Sequence, residues 1–252
     1  MPRYPLSRPR SSYVSSFSFG PGPVSTALKA LIAANVAMFV VTTFVPSLIL
    51  LLGLRPNAVI GQLRLWQLAT YMFVHGGIFH IAFNMLALWM FGAELERVWG
   101  TRYFLKFYFV TGIGAAALTI LFSLLPFEFA QQVHYSVVIG ASGAVYGLLL
   151  AYAIYFPDRP IYMYFVFPIP ARIFVAIIGA IELLSSIGAP GGVANATHLG
   201  GLLVAYLYLQ NARVHPISEL KYRYLKWKIN RARRKFDVYS GGRTDDVDRR
   251  VH

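Results

Sequence analysis

Cysteine is absent from the 252-residue sequence, and charged residues are scarce, at 13% of the chain. The absence of cysteine excludes disulfides, thiolate metal sites and a cysteine nucleophile. A soluble domain carries about 25% charged and about 45–50% apolar residues. This chain has 57% hydrophobic residues and a mean hydropathy of +0.55. Its charges are too few to cover a surface that faces water, so we expect lipid to surround most of the chain.

Acidic residues are also few, with 10 Asp and Glu against 23 Lys and Arg. Most of the positive charge lies at the two ends. Residues 1–25 are rich in Arg, Pro and Ser and lack the short apolar core of a cleaved signal peptide, so they are predicted to form a flexible basic tail. Residues 211–252 form a second basic tail directly after an apolar stretch. That position favours a cytoplasmic segment on an anionic lipid surface over a nucleic-acid partner.

Between the tails, six apolar stretches have the length and continuity of membrane-spanning helices. They run over residues 27–45, 78–92, 103–125, 138–156, 173–187 and 196–209. Their apolar residues are continuous and do not alternate, which favours helices over the strands of a barrel. The pattern predicts an all-α polytopic membrane protein, with a six-helix bundle over residues 26–210. Residues 51–77 are too polar to span and are interpreted as a long outer loop that dips into the interface.

The distribution of Lys and Arg predicts the orientation of these spans. With both termini in the cytoplasm, 21 of the 23 Lys and Arg fall on inner segments. Only Arg55 and Arg64 fall outside. The sequence therefore predicts a multi-pass protein of a cell (inner) membrane, with both termini cytoplasmic.

A few polar side chains interrupt the predicted spans, where they are costly and usually face the bundle interior. They are His80, Asn84, Ser142, Glu182 and His198. Spans two, four and six all enter from the outer side. His80, Asn84, Ser142 and His198 are therefore predicted at one depth, near the outer face.

Small residues on spans four and six allow these two helices to approach closely. The predicted contact places Gly143 and Gly147 against Gly201 and Ala205. Such packing would bring Ser142 within reach of His198, the arrangement of a hydroxyl activated by an imidazole base. Helix position and small residues alone are also compatible with a structural role for each polar residue, or with a transport pathway through the bundle.

Four sequence motifs, in their order along the chain, resemble the rhomboid intramembrane serine proteases. Residues 75–84 read HGGIFHIAFN, residues 94–100 read ELERVWG, residues 140–147 read GASGAVYG and residues 194–201 read ANATHLGG. The resemblance covers roughly residues 27–210. It implies a six-helix core with a wet cavity that opens outward, and substrates that are transmembrane segments of other proteins.

The resemblance also implies the roles of individual residues. Ser142 corresponds to the nucleophile, and His198 to the general base that later protonates the leaving amine. His80 and Asn84 match the HxxxN motif associated with the oxyanion hole. Three further residues match supporting positions of the family: Gly140, Gly143 and Tyr146. Of these, Gly140 precedes the serine helix and Tyr146 packs on the base. The resemblance implies no cofactor and no metal, and it leaves the oligomeric state open.

Glu182 is the one acidic residue predicted well inside a span. We interpret it as a hydrogen-bonded group between helices, because the family uses a Ser–His dyad whose imidazole is held by packing on Tyr146. Nothing in the sequence places Glu182 beside His198. The expectation is therefore that Glu182→Gln leaves most proteolysis intact.

Other classes of hydrolase lack their sequence signatures. A soluble α/β-hydrolase carries GxSxG, whereas position 144 is Ala. The HExxH motif of zinc proteases and the paired membrane aspartates of aspartyl intramembrane proteases are absent from the sequence. A non-enzymatic relative that binds membrane helices without cutting them, and a channel or transporter, are the remaining alternatives.

Overall fold

The computed structural model describes residues 24–163, 167–188 and 193–213, most of which are helical. The helices are α1 (Thr26–Phe44), α2 (Ser47–Leu52), α3 (Pro56–Gln62), α4 (Gln67–Thr70), α5 (Ile78–Trp99), α6 (Thr101–Ser123), α7 (Glu128–Tyr135), α8 (Ser142–Tyr155), α9 (Ala171–Gly188) and α10 (Val193–Arg213). Residues 1–23 and 214–252, nearly all of the two predicted tails, lie outside the described residues.

Six of these helices correspond to the six predicted spans. They are α1, α5, α6, α8, α9 and α10, whose ends lie within about four residues of the prediction, except that α5 runs on to Trp99. Its last two turns contain Glu94 and Glu96, where the prediction ended the span. Glu94 forms an ion pair with Arg159. Glu96 is buried and accepts the hydroxyls of Ser25 and Thr101 at 2.6 Å each. These partners explain why the charged turns stay helical.

The predicted outer loop contains regular structure. Helices α2, α3 and α4 and a 3-10 turn at Tyr71–Phe73 fill most of residues 47–73. The side chain of Gln67 is fully buried, donates to the carbonyl of Leu51 at 3.1 Å and accepts the backbone N–H of Arg55 at 3.0 Å. The buried amide of Gln67 is thus satisfied within the protein, as a polar group at lipid depth requires.

Helix α8 lies at the centre of the bundle, against both α5 and α6. Most of its residues are buried, and its sequence is apolar or small on every face. A helix that is apolar all round is a buried helix. Ser142 begins this helix and is half-buried.

A short β-hairpin connects α8 to α9 and was not predicted. Strand β1 (Pro160–Met163) pairs antiparallel with β2 (Phe167–Pro170), and Ile161 lies opposite Ile169. The apolar run over these residues is compatible with either a strand or a helix. The prolines at 160, 168 and 170 exclude a helix interior there.

Large apolar side chains cover much of the outside of the bundle. Examples with more than two fifths of their surface exposed are Val40, Phe44, Phe83, Leu121, Leu184 and Leu207. Within the described ranges, α1, α5 and α6 are long and apolar enough to cross a membrane, and α8 is a shorter apolar helix. Such a surface suits lipid and not water.

Candidate active site

A glycine turn places Ser142 at the first position of α8. Gly140 has φ +116°, a conformation that side-chain-bearing residues rarely adopt. Its N–H donates to the carbonyl of Tyr71 at 2.9 Å, so the turn is tied to the loop before α5. A Cβ added at Gly140 would lie 2.6 Å from Nε2 of His80. The missing side chain therefore allows the imidazole of His80 to pack directly against the turn.

Close contact between α8 and α10 brings the base to the serine. A Cβ added at Gly201 would meet backbone atoms of Gly143, with the carbonyl carbon only 2.9 Å away. This is the helix contact predicted from the small residues. An added Cβ at Gly147 would meet Thr111 of α6 at 2.9 Å, so this glycine allows α6 to approach α8 closely. The contact of Gly147 with Ala205 stays a prediction.

The hydroxyl of Ser142 and the imidazole of His198 are hydrogen-bonded. Oγ lies 2.8 Å from Nε2. The ring of Tyr146 stacks on the ring of His198, with centroids 4.2 Å apart and planes inclined by 8°. The serine and the tyrosine are four residues apart on α8, so one helix face presents both to the imidazole.

Glu182 lies beside His198, contrary to the expectation from the sequence. Its Oε1 is 3.0 Å from Nδ1 of the imidazole, and it accepts the hydroxyl of Tyr146. The ring N–H at Nδ1 is not aligned with this oxygen and makes no other hydrogen bond to the described residues. The contact is a close electrostatic one. Glu182 is hydrogen-bonded between helices as predicted, but its position against the base was not foreseen.

His80 and Asn84 occupy the first two turns of α5, and the ring of His80 packs against Gly140 of the serine turn. Nδ1 of His80 accepts the N–H of Gly76 at 3.4 Å, so in the neutral ring the proton is on Nε2, which faces Gly140. The amide nitrogen of Asn84 donates to the carbonyl of His80 at 2.8 Å. This bond uses one of the two amide hydrogens of Asn84, and the second hydrogen takes no part in it.

The sequence predicts His75 as a loop or helix-entry residue; in the structure it lies in the loop just before α5, with its side chain buried. Its ring packs edge-on against His80, with centroids 5.0 Å apart, and its Nε2 lies 3.5 Å from the backbone N–H of Ala141. Burial, and then the neighbouring His80, lower the pKa of His75 to about 4. His75 is therefore a neutral brace between the loop, His80 and the serine turn. His75 and His80 are five residues apart, whereas residues three or four apart share a helix face, so the sequence did not predict that the two rings meet.

No group of three His, Asp or Glu side chains suitable for a metal ion occurs in the ranges that the structure describes. The imidazole of His198 is engaged by a hydroxyl on one nitrogen and faces a carboxylate on the other. This arrangement suits proton transfer from the serine oxygen, and with it nucleophilic attack.

Known proteins of one family are similar to this chain. The model of the Rhomboid domain matches residues 62–211. Rhomboid protease GluP of Bacillus subtilis is 31% identical over 60% of this chain and 27% of its own length. Rhomboid protein 1, mitochondrial, of Saccharomyces cerevisiae is 34% identical over 54% of this chain and 38% of its length. Rhomboid protease AarA of Providencia stuartii is 30% identical over 56% and 54%.

These alignments span between about a quarter and about half of the length of the three relatives. The family match itself covers more than half of this chain, and the apolar helices are those of a multi-pass membrane protein. The chain belongs to the rhomboid family.

Proposed function

We propose that this protein is a serine endopeptidase that hydrolyses peptide bonds in or near transmembrane segments of other membrane proteins. The observation that carries the proposal is the 2.8 Å contact between Ser142 Oγ and His198 Nε2, inside an apolar helical bundle. The names of two relatives, GluP and AarA, describe them as rhomboid proteases. A non-enzymatic membrane-helix binder has no need of this paired hydroxyl and imidazole.

The reaction begins with attack of the Ser142 oxygen on the scissile carbonyl while His198 takes the hydroxyl proton. The protonated imidazole then gives its proton to the leaving amine, and an acyl-enzyme forms. Water from an outward-open cavity attacks the ester, with His198 again as the base. The sequence of steps needs no cofactor and no metal.

Negative charge that develops on the carbonyl oxygen requires fixed donors. Ser142 is the first residue of α8, where backbone N–H groups lack partners within the helix. The Nε2–H of His80 and the second amide hydrogen of Asn84 are further candidates on the facing helix α5. Each donor of this kind typically lowers the barrier by about 2.7–4 kcal/mol.

The substrate must present an accessible carbonyl. A transmembrane helix hides its carbonyls in i to i−4 hydrogen bonds, so we expect cleavage where small or helix-weak residues allow local unwinding. The enzyme is proposed to work in a cell membrane with both termini cytoplasmic, since that topology leaves Arg55 and Arg64 as the only outer Lys or Arg in the whole sequence.

Cleavage of a reporter transmembrane segment in liposomes tests the proposal. Wild-type protein is expected to yield two fragments whose masses define one peptide bond, and Ser142→Ala none, with its melting temperature near the wild-type value. Cleavage by Ser142→Ala at the same bond would show that another group, or a contaminant, does the chemistry.

A further inference from the structure

The carboxylate of Glu182 is the least expected group around the imidazole. Its side chain is only 13% exposed, and that of His198 is 16% exposed. A carboxylate at membrane depth is costly unless it is paired. Two helices supply its partners: α8 the hydroxyl of Tyr146, and α10 the imidazole.

Asn195 completes the surroundings of this carboxylate. With its amide oriented so that the nitrogen meets acceptors and the oxygen meets donors, Asn195 donates to Oε2 of Glu182 at 3.1 Å and accepts the N–H of Ser186 at 3.3 Å. Asn195 lies one turn before His198 on α10. Both oxygens of Glu182 are therefore engaged, and the carboxylate has one defined orientation against the imidazole.

A carboxylate at Nδ1 selects the tautomer of the base. A neutral imidazole carries one proton, on Nδ1 or on Nε2. The negative charge 3.0 Å from Nδ1 favours the proton on that nitrogen. The lone pair of Nε2 then faces Ser142 Oγ and can accept its proton. In the other tautomer, Nε2–H would point at the hydroxyl, and the base would be blocked.

Stacking on Tyr146 does not supply this selection. A parallel ring at 4.2 Å restricts tilting of the imidazole, but it makes no distinction between the two ring nitrogens. When His198 takes the serine proton, the ring also gains a positive charge in a poorly solvated site. The carboxylate is the nearest compensating charge among the described residues.

We infer that Glu182 is a positioning residue that holds His198 in its productive tautomer and stabilises the protonated ring, so that Ser142, His198 and Glu182 act as a triad. The inference rests on the proposed proteolytic function. The unaligned Nδ1–H does not contradict it, because hydrogen bonds of catalytic groups are often loose before substrate binds and tighten afterwards.

Glu182→Gln tests this role with little change of shape. Glutamine keeps an oxygen for the hydroxyl of Tyr146 and removes the charge. We expect kcat for the reporter segment to fall by about 10- to 100-fold, with KM within about twofold of wild type, a smaller loss than the roughly 10⁴-fold typical of an aligned triad carboxylate. Glu182→Asp keeps the charge but retracts it by one methylene, and should recover part of kcat. Glu128→Gln, which removes an exposed charge on α7, is the matched control and should equal wild type.

The pH profile gives a readout that a structural role would not move. The titratable groups around His198 are Tyr146, Glu182 and His80. The Glu182→Gln variant alters only one of them. Loss of the carboxylate disfavours the imidazolium, so the acidic limb of kcat/KM should move to lower pH in Glu182→Gln. Each rate is divided by the concentration of active sites, measured by titration of Ser142 with a fluorophosphonate. Unfolded protein therefore does not affect the kcat values that are compared.

A kcat for Glu182→Gln within twofold of wild type, with an unmoved acidic limb, would overturn the inference. If the Gln variant fails to fold, Glu182→Asp decides: a reduced kcat at unchanged KM supports the role, and a wild-type kcat overturns it. Failure of the proposed function looks different, because wild-type protein would then neither cleave the reporter nor be labelled at Ser142.

Discussion

Substitution of Gly201 by alanine should separate the serine from its base. The added Cβ would lie 2.9 Å from the carbonyl carbon of Gly143 and closer still to its oxygen. Carbon atoms in contact prefer about 3.5–4.0 Å. Helices α8 and α10 must therefore move apart by about 1 Å at this point.

The displacement acts where the chemistry occurs. Gly143 follows Ser142, and Gly201 lies one turn after His198 on the same helix face. A shift of about 1 Å would lengthen the 2.8 Å contact between Oγ and Nε2 beyond hydrogen-bonding range. Misplacement on this scale reduces turnover by about 100-fold, whereas overpacking typically destabilises a fold by about 1–3 kcal/mol.

The assay compares kcat on the reporter segment with the rate of fluorophosphonate labelling at Ser142, both per folded molecule. Gly179→Ala is the matched control, because a Cβ at that membrane-helix position meets only Leu202 at an ordinary 3.7 Å. We expect both rates to fall about 100-fold in Gly201→Ala and to stay unchanged in the control. A folded Gly201→Ala protein with wild-type rates would refute the argument that close helix packing sets the dyad distance.

Three further predictions concern the other polar and turn residues. Asn84→Ala should lower kcat by about 10²–10³-fold with little change in KM, if its amide stabilises the oxyanion; a change confined to KM would remove that role. Gly140→Ala should lower both the melting temperature and kcat, because alanine at φ +116° is strained, typically by about 1–3 kcal/mol, and its Cβ would strike His80. Gly61→Ala, whose Cβ meets no atom within 4 Å, should do neither. Burial lowers the pKa of His75 from 6.5 to about 4, so the unfolded chain binds a proton between those pH values that the folded protein refuses, and stability falls as the pH drops. His75→Gln should therefore lose less melting temperature than wild type between pH 7 and pH 5, and an equal loss would contradict the buried, neutral state.

The sequence predicts the spans well where apolar residues are continuous, as in α1 and α6. It ends α5 seven residues early, because Glu94 and Glu96 read as the end of a membrane segment. Their partners, Arg159, Ser25 and Thr101, are supplied by other parts of the chain. The short helices of residues 47–70 and the hairpin after α8 were not predicted, since their apolar residues follow no clear period.

The candidate site shows the same division. Depth along each span and the small residues of α8 and α10 are readable from sequence, and they predict that Ser142 meets His198. The rotation of α9 about its own axis is not readable, because an apolar helix in lipid has no single buried face. The contact of Glu182 with His198 depends on this rotation. The burial of His75 depends on how the loop before α5 packs on the bundle. The sequence predicts neither.

The most direct test of the central claim is fluorophosphonate labelling of purified protein, with the modified residue identified by mass spectrometry. We expect labelling at Ser142 that disappears in His198→Ala and persists in Glu128→Gln. Labelling of Ser142 at an undiminished rate in folded His198→Ala, or no labelling of an intact wild-type protein, would contradict an imidazole-activated serine.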